Sequence, residues 1–248
     1  MPPSIEQELI ERVHTSGMHM LLSITGGGSR AIASLLEVPG ASASVVGAIV
    51  PYAPAALESW LRGAVDQHCS ERTSRAMAMT AFGIARQFCD ADPRSLRGIG
   101  ATASLATTRP KRGPHRIHIA WQSAAATVSY SCELPKGERT RAEEENIATQ
   151  LILTAVCEAC GVEGASLVEP SVADAVDRRQ QYAPPSWTEL LLGERTSVAI
   201  HGEDSDVLFP GAFNPLHDGH LRMAEVAQAH YGVPVTFELS IANVDKAP

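Results

Sequence analysis

Residues Met18 to Val38 read MHMLLSITGGGSRAIASLLEV. The run "MHMLLSI" is apolar and short, as a strand is, and "TGGGS" breaks it before "RAIASLLEV", whose apolar residues recur at helical spacing. Strand, glycine turn and helix in that order make one unit of an α/β fold. The pattern continues on both sides. Upstream, Ile5, Leu9, Ile10 and Val13 mark an amphipathic helix with Ser4 as a cap. Downstream come a "PGAS" turn, the strand "SVVGAIVPY", the helix "PAALESWLRG" with Pro at its start and Gly at its end, and a longer helix from Ser70 to Phe88. The segment Ile99 to Cys132 changes character, and its β-rich runs "GIGATASLATT", "HRIHIAWQSA" and "ATVSYSCEL" then read as a meander. Arg139 or Arg141 opens a last long helix that stops at Gly161. Strands interleaved with helices predict an α/β domain over residues 1–161.

Composition places the chain among ordinary globular proteins. It has 248 residues, 44% hydrophobic and 19% charged. A net charge of −8 argues against a nucleic-acid partner, and the basic run Arg109 to Arg116 reads as a solvated hairpin flank. Five cysteines, an odd and sparse set, point to a reducing compartment. The pair Cys157 and Cys160 has no second pair at zinc spacing, so it reads as two structural thiols and no metal site is predicted. The N-terminus lacks the apolar core of a signal peptide, and no apolar run approaches the ~18 residues of a membrane span. A cytoplasmic protein without a membrane partner is expected.

From Val162 the composition becomes acidic, Pro-containing and weakly periodic, and 162–195 reads as a linker or irregular wrap, with "WTELLLGE" as a short helix inside it. Residues 196–248 read as strand, strand, loop, helix, strand. No internal repeat is present.

The glycine turn is the first feature with chemistry. Thr25, Gly26 and Gly27 stand between a strand and a helix start, where free N–H groups suit an anion such as phosphate, although the GK[ST] ending of a P-loop is missing. In this setting "LSITGG" resembles the "ESCTGG" turn of the CinA C-terminal domain family, the nicotinamide mononucleotide amidohydrolases. "GASASVVGAIVPYAPAAL" is similar to that family's "GSS…V.Y.NEAK" segment, and "GERTRAEEENIA" to its "GDR……A" helix start. The resemblance covers residues 1–161 and implies a three-layer α/β fold, a mononucleotide ligand, a homo-oligomer and serine–lysine amidase chemistry. In such chemistry a serine attacks the carboxamide, a lysine takes its proton, and a tyrosine and backbone donors hold the site. Carried over, the serine falls on Ser42, the tyrosine on Tyr52 and a phosphate-side arginine on Arg141, with Arg139 the less well spaced option. Thr25, Gly26 and Gly27 fall on the phosphate. The lysine position falls on Leu57, and there is no lysine at all between Met1 and Pro110. The family's "GIAGPxGG" loop corresponds to "GATASLATT", which lacks the Pro and Gly pair. Loss of a general base forfeits on the order of 10²–10⁴ in rate, so efficient amidase activity is not expected.

The second feature is "LFPGAFNPLHDGH", Leu208 to His220. It fits GxFxxxHxGH at Gly211, Phe213, His217, Gly219 and His220. Two histidines three apart at a helix start can stabilise charge on a phosphate under attack, with positioning and electrostatics in place of a covalent nucleophile. By contrast, His14, His19 and His68 read as ordinary surface or core histidines. The string resembles the nucleotidylyltransferases, with "FELSIANVDKAP" similar to their second strand and following loop. The resemblance implies a partial Rossmann-like segment over 196–248, ATP or CTP with Mg²⁺ as the co-substrate, and His217, His220, Gly211 and Phe213 at the nucleotide. That segment amounts to about a third of such a domain, so catalysis is expected only from a longer chain. Both resemblances meet on pyridine nucleotides. Three readings result: an amidase-like protein of pyridine-nucleotide chemistry, a nucleotidylyltransferase truncated at Pro248, and a non-catalytic nucleotide-binding or interaction scaffold.

Overall fold

The computed structural model describes residues 3–108, 112–163, 166–200, 205–213 and 215–240. The start of the basic run (Arg109 to Lys111), Asn214 of the histidine motif and the end of the predicted final loop lie outside them. The chain divides into two compact units, Met1–Pro185 and Ser186–Pro248.

Unit 1 is a mixed α/β domain. Helix α1 (Ile5–His14) opens on a capping box, in which the Gln7 N–H donates to Ser4 Oγ at 3.2 Å and the Ser4 N–H donates to Gln7 Oε1 at 2.9 Å. Strand β1 (His19–Ile24), helix α2 (Arg30–Glu37), a 3₁₀ turn (Ala41–Ala43), strand β2 (Val45–Ile49), helix α3 (Pro54–Leu61) and helix α4 (Glu71–Phe88) follow. Strands β3 (Leu96–Ser104), β4 (His115–Gln122) and β5 (Ala126–Leu134) form the predicted meander, and helix α5 spans Arg141–Ala159. Of the two arginines offered as its start, Arg141 is the first helical residue, because Thr140 caps the helix by accepting from the Glu143 N–H.

The sheet runs β2-β1-β3-β4-β5-β6, parallel among its first three strands and antiparallel beyond β3. Alternation along β1 shows the layering. Met20, Leu22 and Ile24 join a core with α1, α2 and α5, while Leu21 packs with Ala81 and Ala85 of α4 on the opposite face. Helix α4 lies directly on β3, because a Cβ at Gly98 would overlap the Ala78 carbonyl and one at Gly100 would overlap the Ser74 carbonyl. Two glycines two residues apart therefore cut a flat track for the helix.

The segment 162–195, read above as a linker or irregular wrap, carries regular structure. A short helix α6 (Pro170–Ala173) leads into strand β6 (Val176–Tyr182), which pairs antiparallel with β5 in unbroken register. The physical reason is local. "VDRRQQY" has no apolar alternation, because none of its residues is buried on either face.

Unit 2 comprises helix α7 (Pro185–Leu192), strand β7 (Val207–Gly211), helix α8 (Asp218–Tyr231) and strand β8 (Val235–Leu239). β7 and β8 are parallel neighbours joined through α8, a single βαβ unit. None of its described residues is buried. Among the described residues, no helix is long and apolar enough to cross a membrane.

Candidate functional site

The parallel strands β1, β2 and β3 run side by side, and the segments leaving their C-terminal ends enclose a cleft of about 280 Å³. Thr25 and Gly27 come from the turn after β1, Tyr52 and Leu57 from the segment after β2, Thr102 and Thr107 from the end of β3 and its loop, and Arg141 from the first turn of α5. Five residues singled out in the sequence, Thr25, Gly27, Tyr52, Leu57 and Arg141, thus line one cleft. Gly26 underlies the cleft: its φ is +116°, and a Cβ there would stand 2.5 Å from the Tyr52 ring. Tyr52 itself is 76% exposed, so its ring is open to a ligand. Leu57 presents hydrocarbon where an amidase base was expected and is itself buried.

Ser42 is not brought to this cleft. It lies in the 3₁₀ turn that enters β2, whereas Tyr52 follows the strand's exit. Five strand residues separate the two ends, roughly 15 Å at the usual rise. Ser42, expected from the family resemblance as the attacking serine, thus lies outside this cleft. A motif similarity located the segment but not which end of the strand faces the cleft.

Two carboxylates absent from the sequence reading hold the cleft walls. Glu145 Oε1 accepts from the Gly28 N–H at 2.7 Å, and Glu145 Oε2 pairs with Arg141 at 3.4 Å. Its neighbour Glu144 is wholly buried, accepts from the Ala106 N–H at 2.6 Å and bonds His115 Nδ1 at 2.6 Å. Arg141 also donates to the Ala106 carbonyl at 3.4 Å. Successive residues of one helix thus tie down the glycine turn and the loop after β3. The available signal was "EEEN" opening an otherwise apolar helix, since a buried carboxylate needs a partner. His68 was also missed. It lines the cleft, and its Nε2 stands 3.4 Å from Glu58 Oε1. Cys69 lines the cleft beside it.

In unit 2 the histidine motif forms the start of α8. His217 Nδ1 accepts from the Gly219 N–H at 3.2 Å, and the His217 N–H donates to His220 Nδ1 at 3.3 Å. The rings stack with centroids 3.8 Å apart. Because both Nδ1 atoms accept, the neutral rings carry their protons on Nε2. Phe213 meets His220 edge-on at 5.2 Å and Phe237 at 4.9 Å, and a Cβ at Gly211 would stand 2.7 Å from the Phe213 ring. Gly211 and Phe213 therefore serve the seating of His220 in this structure. Among the described residues, no group of three or more His, Cys, Asp or Glu could hold a metal ion.

Several solved structures share the fold. A competence or damage-inducible protein from Enterobacter asburiae superposes with a TM-score of 0.53 at 15% identity, covering 64% of this chain and 99% of that one. The six-stranded sheet with its flanking helices has the CinA-like fold. A CinA superfamily protein from Enterobacter cloacae matches at 0.52 and 16% identity, over 64% of this chain and 95% of its own. The competence damage-inducible protein A from Klebsiella pneumoniae matches at 0.52 and 17%, over 62% and 96%. No protein-family model and no curated protein matches the sequence. At these identities the CinA-like likeness concerns the fold.

Proposed function

We propose that unit 1 binds a phosphate-bearing mononucleotide of the nicotinamide class and does not hydrolyse its amide efficiently. The observation that carries this reading is the convergence of Thr25, Gly27, Tyr52 and Arg141 on one cleft. The glycine turn brings backbone close to a phosphate, the Arg141 guanidinium supplies the charge, and the exposed Tyr52 face offers stacking to a base. The nicotinamide assignment comes from the sequence resemblance to the CinA family. Leu57 at the position of the expected base, and Ser42 at the far end of β2, both argue against amide hydrolysis.

Titration calorimetry with nicotinamide mononucleotide tests the binding. Arg141→Ala is expected to weaken it about tenfold, the worth of one charge-assisted contact. No heat at millimolar ligand, or affinity unchanged in Arg141→Ala, contradicts the reading. Steady ammonia release from nicotinamide mononucleotide would contradict its second half.

Unit 2 supports a second reading, nucleotidylyl chemistry on ATP or CTP, because both histidines of the motif carry their protons on Nε2 at the start of α8. The described side chains do not form a protein cage for Mg²⁺, so the ion would arrive with the triphosphate. His220→Ala is expected to abolish a thermal shift produced by ATP or CTP with Mg²⁺. A shift that survives the substitution removes this reading.

A further inference from the structure

The sheet of unit 1 ends on β6, and among the described residues no strand pairs with its outer edge. Every other strand of that sheet is paired on both sides except β2 at the opposite edge. β6 is seven residues long, contains no proline or lysine, runs in unbroken register with β5, and is exposed from Asp177 to Tyr182. Natural edge strands are usually blunted by shortness, bulges, proline or charged side chains, lysine above all, because their unpaired backbone groups template another strand. This edge has neither shortness, bulge, proline nor lysine, and its charges, Asp177, Arg178 and Arg179, carry both signs.

The direction of its backbone groups follows from one bond. The Ala183 N–H donates to the Ala125 carbonyl at 2.9 Å, which makes 183 and 125 a hydrogen-bonded pair of the β5–β6 ladder. Alternation along an antiparallel ladder then turns the N–H and C=O groups of Asp177, Arg179 and Gln181 towards β5, and those of Val176, Arg178, Gln180 and Tyr182 outward.

The side chains are self-complementary in one register. Asp177 and Arg179 share the α4 face, where Arg179 pairs with Asp177 at 2.7 Å and with Glu71 at 3.2 Å. Arg178 lies on the other face, with its Nε 3.2 Å from each carboxylate oxygen of Glu158. A two-fold axis through Arg178 sets Arg178 opposite Arg178 of the second copy as a hydrogen-bonded pair. It also sets Val176 opposite Gln180, and Asp177 opposite Arg179, at both ends of the contact. The last are non-hydrogen-bonded pairs, whose side chains stand closest. The two facing Arg178 side chains are each already neutralised by their own Glu158.

We propose that β6 is a self-pairing edge, at which a second copy of this chain adds its β6 antiparallel to form one continuous sheet across a two-fold axis. The occupant is a second copy because the same strand supplies both the acid and the base of each cross-strand pair. This gives the homo-oligomer expected from the sequence a defined contact, and it stands independently of the cleft's ligand.

Sedimentation of the full chain over a range of concentrations tests it. A species of twice the 26.4 kDa chain mass is expected. Asp177→Arg, which faces two arginines with one another, is expected to abolish the dimer, and the charge swap D177R/R179D to restore it. Gln180→Pro removes an outward N–H without touching the β5 ladder, and it too is expected to give monomer. Hydrogen exchange should show the Arg178 and Gln180 amides protected only in the dimer. A chain that stays monomeric at all concentrations overturns the proposal. So does a dimer that survives both Asp177→Arg and Gln180→Pro, or protection of those amides in the monomer, which would mean that the edge is covered within the chain.

Discussion

Glu144 and Glu145 sit next to each other on α5 and face different partners, one the loop after β3 and the other the glycine turn. Each carboxylate trades hydration for a backbone N–H and a side-chain partner, His115 for Glu144 and Arg141 for Glu145, which is the condition for burying such a group. Ser23, in β1 just before that turn, is in the opposite position. It is 0% exposed, and its Oγ has no hydrogen-bond partner among the described residues. Ser23→Ala removes a hydroxyl that lost its hydration on folding, so the urea midpoint is expected to hold or to rise by up to ~1 kcal/mol equivalent. A fall of more than that would show that the hydroxyl is engaged. These residues also mark what sequence could and could not convey. Thr25 and Gly27 stand out in the sequence as a glycine turn between a strand and a helix, whereas Tyr52 and Arg141 were reached through the family resemblance alone. Glu145 was not, because its partner Gly28 lies 117 residues away.

At the scale of elements, the βα unit and the meander were legible because their apolar runs stay long enough to show a period. β6 was not, since an edge strand uncovered on both faces has no period to show. Ser42 illustrates another limit. Its segment was recognised, but only the parallel pairing of β2 with β1 shows that it enters the strand at the end away from the cleft. The packing of α4 on β3 yields a direct prediction. Gly98→Ala drives a methyl group into the Ala78 carbonyl and the Phe82 backbone, which a helix can relieve only by moving off the strand. A loss of ~1–3 kcal/mol is expected in chemical denaturation, as for overpacked cores. An unchanged midpoint would mean that α4 does not lie on β3 as described.

Across the whole molecule, stability should form a plateau bounded by buried titrating groups. Burial pushes the Cys157 thiol up to about 12 and Cys160 up to about 11. The folded state therefore keeps protons that the unfolded chain releases near pH ~8.5. Their contribution is complete below that pH and is lost as pH climbs towards 11. On the acid side, burial foremost, with the Arg116 charge, holds His118 below the usual histidine range. The unfolded chain then binds a proton that the folded one refuses, so stability is present above pH ~6.5 and falls as pH drops beneath it. Urea midpoints should be level between these limits and lower at pH 5.5 and pH 10. A midpoint constant from pH 5.5 to pH 10 would contradict the burial of both sets of groups.

The proposed mononucleotide cleft is built from the two turns and α5. Amide ¹⁵N–¹H spectra of the full chain during a titration with nicotinamide mononucleotide test it most directly. Saturable shifts confined to Thr25, Gly26, Gly27, Tyr52, the loop at Leu105 to Thr107 and Arg141 are the result this account predicts. Unmoved resonances at these residues at millimolar ligand, or shifts confined to the residues of α8, would contradict it.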